Sequence, residues 1–224
     1  MNIDTKYLIR WGIPGWVFIL FSYTSYLSMG NNVKHSIFAG TFSVAQLLGI
    51  LVSLGFVGVV FGYLMHQIYF SLNWIFTNQS TKIMTKMNGL VQNQEIFETS
   101  NQESSPHAKY YKMEFNWQKQ LLMLDEKKRT YIAERYAYLL STIHGLGALL
   151  VSLVSSFVAV LIIAWSHHIL NGLMLFYILF LIYLGFSVYK GFKYYSENLN
   201  HFQANFLNSF LAGEFKPDSN TPNE

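Results

Sequence analysis

The sequence predicts an all-α polytopic membrane protein with four transmembrane helices. Only 12% of its 224 residues are charged, about half the share that soluble domains carry, so a water-facing surface over the whole chain is excluded. From Tyr136 to Tyr189, 54 consecutive residues contain no Asp, Glu, Lys or Arg, which is enough for two membrane crossings. Two further long apolar runs precede this stretch.

The first predicted span covers residues 11–29 and follows a cytoplasmic N-terminus of residues 1–10. Its length corresponds to about 30 Å of helix, the thickness of a hydrocarbon core. The run is longer than the apolar region of a signal peptide, and Ser28-Met29-Gly30 is a poor cleavage site. We therefore expect a retained helix rather than a cleaved leader.

The other three spans follow from the remaining apolar runs. The second predicted span covers residues 44–70. It lies inside an uncharged stretch that is longer than one perpendicular crossing of the membrane requires. The polar break Ser166-His167-His168 divides the long uncharged stretch. We expect a third span over residues 136–165 and a fourth over residues 169–189.

The positive charges predict the orientation of these spans. Fourteen of the fifteen Lys and Arg residues fall on one side of the four-span arrangement, and Lys34 is the exception. The positive-inside rule therefore places both termini and the central segment in the cytoplasm. We expect a multi-pass protein of the bacterial plasma (inner) membrane, in contact with the lipid bilayer.

The central segment, residues 77–135, is predicted to be a polar connector followed by a charged helix. Ser104-Ser105-Pro106 breaks the connector, and from Tyr110 onward apolar residues recur with a 3.5-residue period. No Pro or Gly interrupts this pattern before Gly145, which predicts one helix of about fifty residues running into the third span. Because Lys128 and Arg135 lie in its seam, packing within the chain is as good an interpretation as a dimeric coiled coil.

The charged helix carries the candidate face for a cytoplasmic protein partner. Its members are aromatic or basic: Trp117, Lys127, Lys128, Arg129 and Arg135. This cluster is suited to contact a partner, anionic headgroups or a nucleotide. The alternative is a solvated helix face with ion pairs between residues four apart.

After the fourth span, residues 194–224 are predicted to form an amphipathic helix and a disordered tail. Leu199, Phe202, Phe206 and Phe210 recur at spacings of 3, 4 and 4 residues, with polar residues between them. This helix either lies on the cytoplasmic membrane surface or packs on the long charged helix.

A stripe of small residues runs along the third span. Its members recur every 3.5 residues: Ser141, Gly145, Ala148, Ser152, Ser155 and Ala159. Such a stripe lets another helix approach closely and lets hydroxyl groups bond across the contact. It is a contact within the subunit, a contact between subunits of a homo-oligomer, or a pore lining. Gly58 and Gly62 in the second span form a weaker GxxxG signal.

Few residues in the spans offer chemistry. The spans contain no Asp, Glu, Lys or Arg, and their only histidines are His66 and His144. His144, beside the small-residue stripe, is the candidate for pH sensitivity. The chain has no cysteine and no common catalytic or nucleotide-binding motif. We therefore expect no enzyme activity, no cofactor, no metal site and, with a net charge of only +3, no direct nucleic-acid binding.

In layout, the chain resembles the small multi-span membrane subunits of bacterial antiviral defence systems, such as the Kiwa-type membrane component or four-helix membrane effectors. The resemblance rests on the charged helix from Lys112 to Arg135, its continuation into the small-residue stripe, and the hairpin that closes at Lys190. It implies a homo-oligomer whose cytoplasmic face receives a signal or partner and whose membrane part senses or breaches the bilayer.

Two functional hypotheses follow from the sequence, with a third behind them. The first is a non-enzymatic membrane protein that self-associates through the third span and couples a cytoplasmic partner to the membrane. The alternative is an ion channel or pore opened by a cytoplasmic event, lined by small residues and hydroxyl groups. An intramembrane enzyme would need a catalytic polar residue, and the sequence nominates none better than His144.

Overall fold

A computed structural model describes residues 5–27, 44–92, 106–167 and 172–214 of the chain. These residues are helical apart from short turns, which confirms the predicted all-α class. The six α-helices of this described part are α1 (Thr5–Leu27), α2 (Val44–Phe70), α3 (Gln79–Leu90), α4 (Pro106–Leu122), α5 (Glu126–His167) and α6 (Gly172–Leu211). A π-helical segment, Ser71–Phe76, continues α2.

Three of the described helical stretches are long and apolar enough to cross a membrane: Val52–Phe76, Glu126–Ser166 and Gly172–Leu211. They contain most of the second, third and fourth predicted spans, and this agrees with a multi-pass membrane protein. The first predicted span falls mainly on α1 and ends at residues outside the described part. A fourth crossing therefore stays a prediction.

The chain divides into two compact units. The first unit comprises Met1–Leu72 and Ile143–Lys193, and the second comprises Asn73–Thr142 and Tyr194–Glu224. Both α5 and α6 contribute residues to each unit. The break between the units along the chain thus falls inside continuous helices.

The first unit is held together by close helix contacts. Its described core consists of Phe21, Leu153, Val160, Ala164, Met174 and Leu181. Between α1 and α2 the backbones approach so closely that a Cβ at Gly62 would overlap the carbonyl oxygen of Trp11. A Cβ at Gly58 would overlap the indole ring of Trp16. The GxxxG pair therefore serves contact between neighbouring helices of the same chain.

The second unit contains a helix where the sequence analysis expected only a connector. α3 spans Gln79–Leu90 and buries Met84 and Met87. Its first turn follows Asn78, which has a left-handed backbone with φ 48°, a conformation that asparagine tolerates better than most residues. The apolar pattern of α3 is only one short helix long, and the Asn- and Gln-rich sequence on either side of it made the whole segment resemble a polar connector.

The predicted fifty-residue helix is wrong, because the chain breaks between α4 and α5. Asp125 precedes α5, and its side-chain oxygen Oδ1 accepts a hydrogen bond of 2.9 Å from the backbone N–H of Lys128. The Lys128 ammonium lies 3.3 Å from the other carboxylate oxygen. Asp125 is thus an N-cap residue, and α4 is free to pack on α5 within the same chain.

The fourth predicted span and the predicted C-terminal amphipathic helix belong to one helix, although the boundary between the two units falls between them, at Lys193 and Tyr194. α6 runs for 40 residues without interruption, from Gly172 to Leu211. Gly213, two residues after the last helical residue, has φ 78°. There the N–H of Glu214 bonds the carbonyl of Ser209 and the N–H of Gly213 bonds that of Phe210, which is a Schellman motif.

We expect Gly62→Ala to destabilise the first unit, because the added methyl group must push α1 away from α2. Overpacking of this kind costs about 1–3 kcal/mol. Gly55→Ala is the matched control, since a Cβ at Gly55 meets nothing within 4 Å. Thermal midpoints of both variants in nanodiscs test this. Equal midpoints would contradict the close contact between α1 and α2.

We expect Asp125→Ala to fray the start of α5, and Asp125→Asn to retain most of the cap because an amide oxygen also accepts the bond. The hydrogen bond from the Lys128 backbone is the main cause that lowers the pKa of Asp125 below its usual value. Its ionised form therefore stabilises the fold at neutral pH, and this contribution is lost as the pH falls through the lowered pKa.

Amide hydrogen exchange of the first turn of α5 measures this effect. The difference between Asp125→Ala and the unmodified protein should be present at pH 7 and shrink in acid. A difference that does not change with pH would contradict capping by the carboxylate.

Candidate functional site

A carboxylate in the second unit accepts hydrogen bonds from three helices. Glu114 lies on α4 and receives the hydroxyl groups of Tyr110, one turn earlier, at 3.3 Å and of Tyr136 on α5 at 3.2 Å. The side-chain amide of Gln203 on α6 donates to the same carboxylate at 3.2 Å. Gln203 is only 3% exposed. We call these four residues the carboxylate cluster.

The electrostatics of this cluster keep its donors protonated. Burial, followed by the nearby Glu114 carboxylate, raises the pKa of Tyr110 above its ordinary value. The Tyr110 hydroxyl therefore remains a hydrogen-bond donor throughout the physiological pH range. All three donors are neutral groups, so the cluster fixes the geometry of three helices without an ion pair.

Trp117 lies on the same face of α4 as the carboxylate cluster. Its indole ring is fully buried, with ring centroids 4.5 Å from Phe206 and 5.4 Å from Tyr136. The surrounding core contains Met84, Met87, Val91, Met113, Leu121, Leu124, Ile132, Ala204 and Leu207. The prediction of Trp117 on a partner face is corrected: the turn before α5 directs this residue inward.

The basic members of the predicted partner face lie on α5. Lys127, Lys128 and Arg135 are exposed and Arg129 is half-buried. Lys128 pairs with Asp125, and the Arg135 guanidinium lies 5.6 Å from the centre of the Tyr138 ring. Both contacts lie within α5 or at its first turn. The other exposed basic side chain of this group, Lys127, faces outward.

A cleft opens between α3 and α6. It encloses about 350 Å³ and is lined by Thr85, Lys86, Gly89, Leu90, Glu197, Asn200 and His201. Asn200 is only 8% exposed. The lining residues carry ammonium, carboxylate, imidazole and amide groups, a set that suits a small polar molecule with both donors and acceptors.

Sequence reasoning did not find this cleft or the carboxylate cluster. The cleft needs α3, which was expected to be a connector, and a continuous α6. The cluster joins residues 89 positions apart. The signal that could have located α3 is the spacing of Ile83, Met84, Met87 and Leu90.

The middle of the predicted small-residue stripe lies inside the first unit. The buried Ser152 hydroxyl donates to the carbonyl of Pro14 on α1, and Ser155 Oγ lies 3.9 Å from the sulfur of Met65 on α2. Ala148 is fully buried, while Gly145 and Ala159 are half-buried. These contacts favour packing within the chain over the other two interpretations.

Ser141, at the start of the stripe, behaves differently. It belongs to the second unit, and its hydroxyl donates to the carbonyl of Tyr138 in its own helix at 3.0 Å. The stripe is therefore not one continuous contact surface in the structure.

His144 sits in an aromatic setting in the first unit. Its ring centroid lies 4.8 Å from that of Phe70 and 5.9 Å from that of Tyr69. Its Nδ1 atom is buried without a hydrogen-bond partner among the described residues. Among all residues that the structure describes, there is no group of three His, Asp or Glu side chains that could hold a metal ion. A role of His144 in pH sensing stays a prediction.

We expect Glu114→Ala to destabilise the second unit, because it leaves buried hydroxyl and amide donors without their acceptor. Such a loss costs about 1–3 kcal/mol. Glu114→Gln, which keeps one acceptor oxygen, should cost less. Glu134→Gln is the control, since Glu134 is exposed. Hydrogen exchange of α4 peptides measures the effect, and equal exchange in Glu114→Ala and Glu134→Gln would show that the cluster does not hold α4.

Comparison with protein-family models, with curated proteins and with solved structures finds no match to this chain.

Proposed function

We propose that this protein is a multi-pass membrane protein whose second unit receives a cytoplasmic ligand or partner and passes the event to its membrane helices. The observation that carries the proposal is the continuity of α5 and α6. α5 holds Tyr136 in the second unit and Ser152 in the first. A change in how α4 packs on Tyr136 therefore acts on a helix that also spans the bilayer.

The cleft between α3 and α6 is the proposed binding site for the cytoplasmic ligand. Three of its lining residues, Glu197, Asn200 and His201, belong to the same continuous helix as the apolar core residues Met174 and Leu181. A ligand that binds Lys86 on α3 together with Asn200 on α6 would fix the separation of these two helices. Binding would then favour one arrangement of α6 over others, which is a shift in population.

The sequence supplies the remaining parts of the proposal. The positive-inside rule supports a cytoplasmic second unit and cytoplasmic termini, with α1 as a fourth span. Exposed Lys127 and Lys128 leave a basic surface for a protein partner. Self-association is supported by the layout resemblance and not by the small-residue stripe. The central serines of the stripe, Ser152 and Ser155, contact other helices of the same chain. The same resemblance suggests antiviral defence in a bacterial inner membrane as the biological setting.

The alternative of a channel or pore has less support. The hydroxyl group of Ser152, a member of the stripe that the sequence offers as polar lining, is buried and bonds the carbonyl of Pro14. Ser155 of the same stripe lies with its Oγ atom 3.9 Å from the sulfur of Met65. A pore would have to draw on other residues or on a second copy of the chain.

Native mass spectrometry in nanodiscs, with and without host cytosol, tests the proposed function. We expect the unmodified protein to retain a cytosolic small molecule or protein, and Lys86→Glu to reduce its occupancy at least tenfold. Lys82→Glu is the matched control, since Lys82 is also exposed on α3 but does not line the cleft. No added mass on the unmodified protein would contradict a cytosolic ligand.

The second half of the experiment asks whether binding reaches the membrane helices. Addition of the captured ligand should change hydrogen exchange in residues 143–160 of α5 in the unmodified protein and in Lys82→Glu. A bound ligand that leaves these residues unchanged would contradict coupling while leaving the cleft as a binding site.

A further inference from the structure

α4 presents a second apolar face on the side opposite to its buried one. Met113, Trp117 and Leu121 lie in the core of the second unit. Tyr111, Phe115 and Leu122 are 63%, 68% and 70% exposed. Their spacings of 4 and 7 residues place them on one stripe of the helix. A helix that only covered a soluble core would carry polar residues there.

Two lysines lie along one edge of this stripe: Lys119, which is exposed, and Lys112, which is half-buried. The third lysine of α4, Lys109, lies on a different face of the helix. The single acidic residue of α4, Glu114, is held in the carboxylate cluster on the other side. The exposed surface of α4 therefore combines aromatic and aliphatic groups with ammonium groups and lacks a carboxylate of its own helix.

We propose that this outer face of α4, formed by Tyr111, Phe115, Leu122, Lys112 and Lys119, binds an anionic lipid bilayer surface. Aromatic and leucine side chains enter the boundary between headgroups and acyl chains, and lysines bind lipid phosphates. This inference goes beyond the proposed function, since it concerns neither the cleft nor the basic residues of α5.

A bilayer fits this face better than a second copy of the chain. In a two-fold symmetric contact, the same patch meets itself. Lys112 and Lys119 would then come close to the lysines of the other copy, and like charges at close range oppose association. Anionic headgroups instead neutralise the lysines while the apolar stripe leaves water.

The absence of cysteine from the chain allows a sharp test with single fluorescent labels. Gln118 is exposed on the same side of α4, so a label attached through Gln118→Cys reports on the face without removing an apolar anchor. Asn88→Cys, at an exposed position on α3, is the control. The labelled protein is placed in nanodiscs of phosphatidylcholine alone or mixed equally with phosphatidylglycerol, each doped with lipid that carries a nitroxide quencher.

We expect the label at residue 118 to be quenched at least twofold more in anionic nanodiscs than in zwitterionic ones. The label at residue 88 should show no such difference. High salt should reverse the quenching, since screening weakens lysine–phosphate attraction. Lys112→Glu combined with Lys119→Glu should abolish it, and Phe115→Ser combined with Leu122→Ser should weaken it, at thermal midpoints close to that of the unmodified protein.

Three results would overturn the inference. The first is a label at residue 118 that stays as accessible to aqueous iodide as the control in anionic nanodiscs. The second is equal quenching in zwitterionic and anionic nanodiscs, which would show that charge does not select the surface. The third is protection from iodide without nitroxide quenching, rising with protein concentration, which would identify a second copy on this face.

Discussion

The turn before α5 is the constraint on which the second unit depends. Asp125 holds the first turn of α5 through the Lys128 backbone, and the preceding residues reverse the chain. Only because of this reversal can Trp117 on α4 meet Tyr136 on α5 at 5.4 Å, and only then can Glu114 reach Tyr136 and Gln203 together. With α4 and α5 in one straight helix, residues 117 and 136 would lie about 28 Å apart along the axis.

Much of the fold could be predicted because it depends on local chemistry. Apolar runs of bilayer length gave the span over residues 44–70, which coincides with α2. The turn could not be predicted in this way, because Asp125 begins a run of charged residues that suits a helix interior equally well. The continuity of α6 was missed because lysines and tyrosines near residue 190 are typical of a membrane exit, and such an exit does not require the helix to end.

The candidate site was less accessible to sequence reasoning, since it depends on contacts between distant segments. Trp117 belongs to the apolar repeat that begins near Tyr110, but the repeat alone does not say whether a partner or the chain itself covers this residue. The carboxylate cluster could not be inferred from Glu114, because a single acidic residue in a charged helix is ordinarily solvated. Tyr136 and Gln203 supply the hydrogen-bond donors around Glu114. The positions of these two residues depend on the two long helices, α5 and α6.

The backbone contact between α1 and α2 bears on the order in which the chain assembles. Gly58 and Gly62 have no side chain to immobilise, so closing this contact costs little side-chain entropy on α2. The two helices are also neighbours in sequence, and contacts between close segments form faster than distant ones. The α1–α2 pair can therefore form during synthesis, before α5 and α6 exist. It then offers the Pro14 carbonyl as a ready acceptor for Ser152 when the later helices arrive.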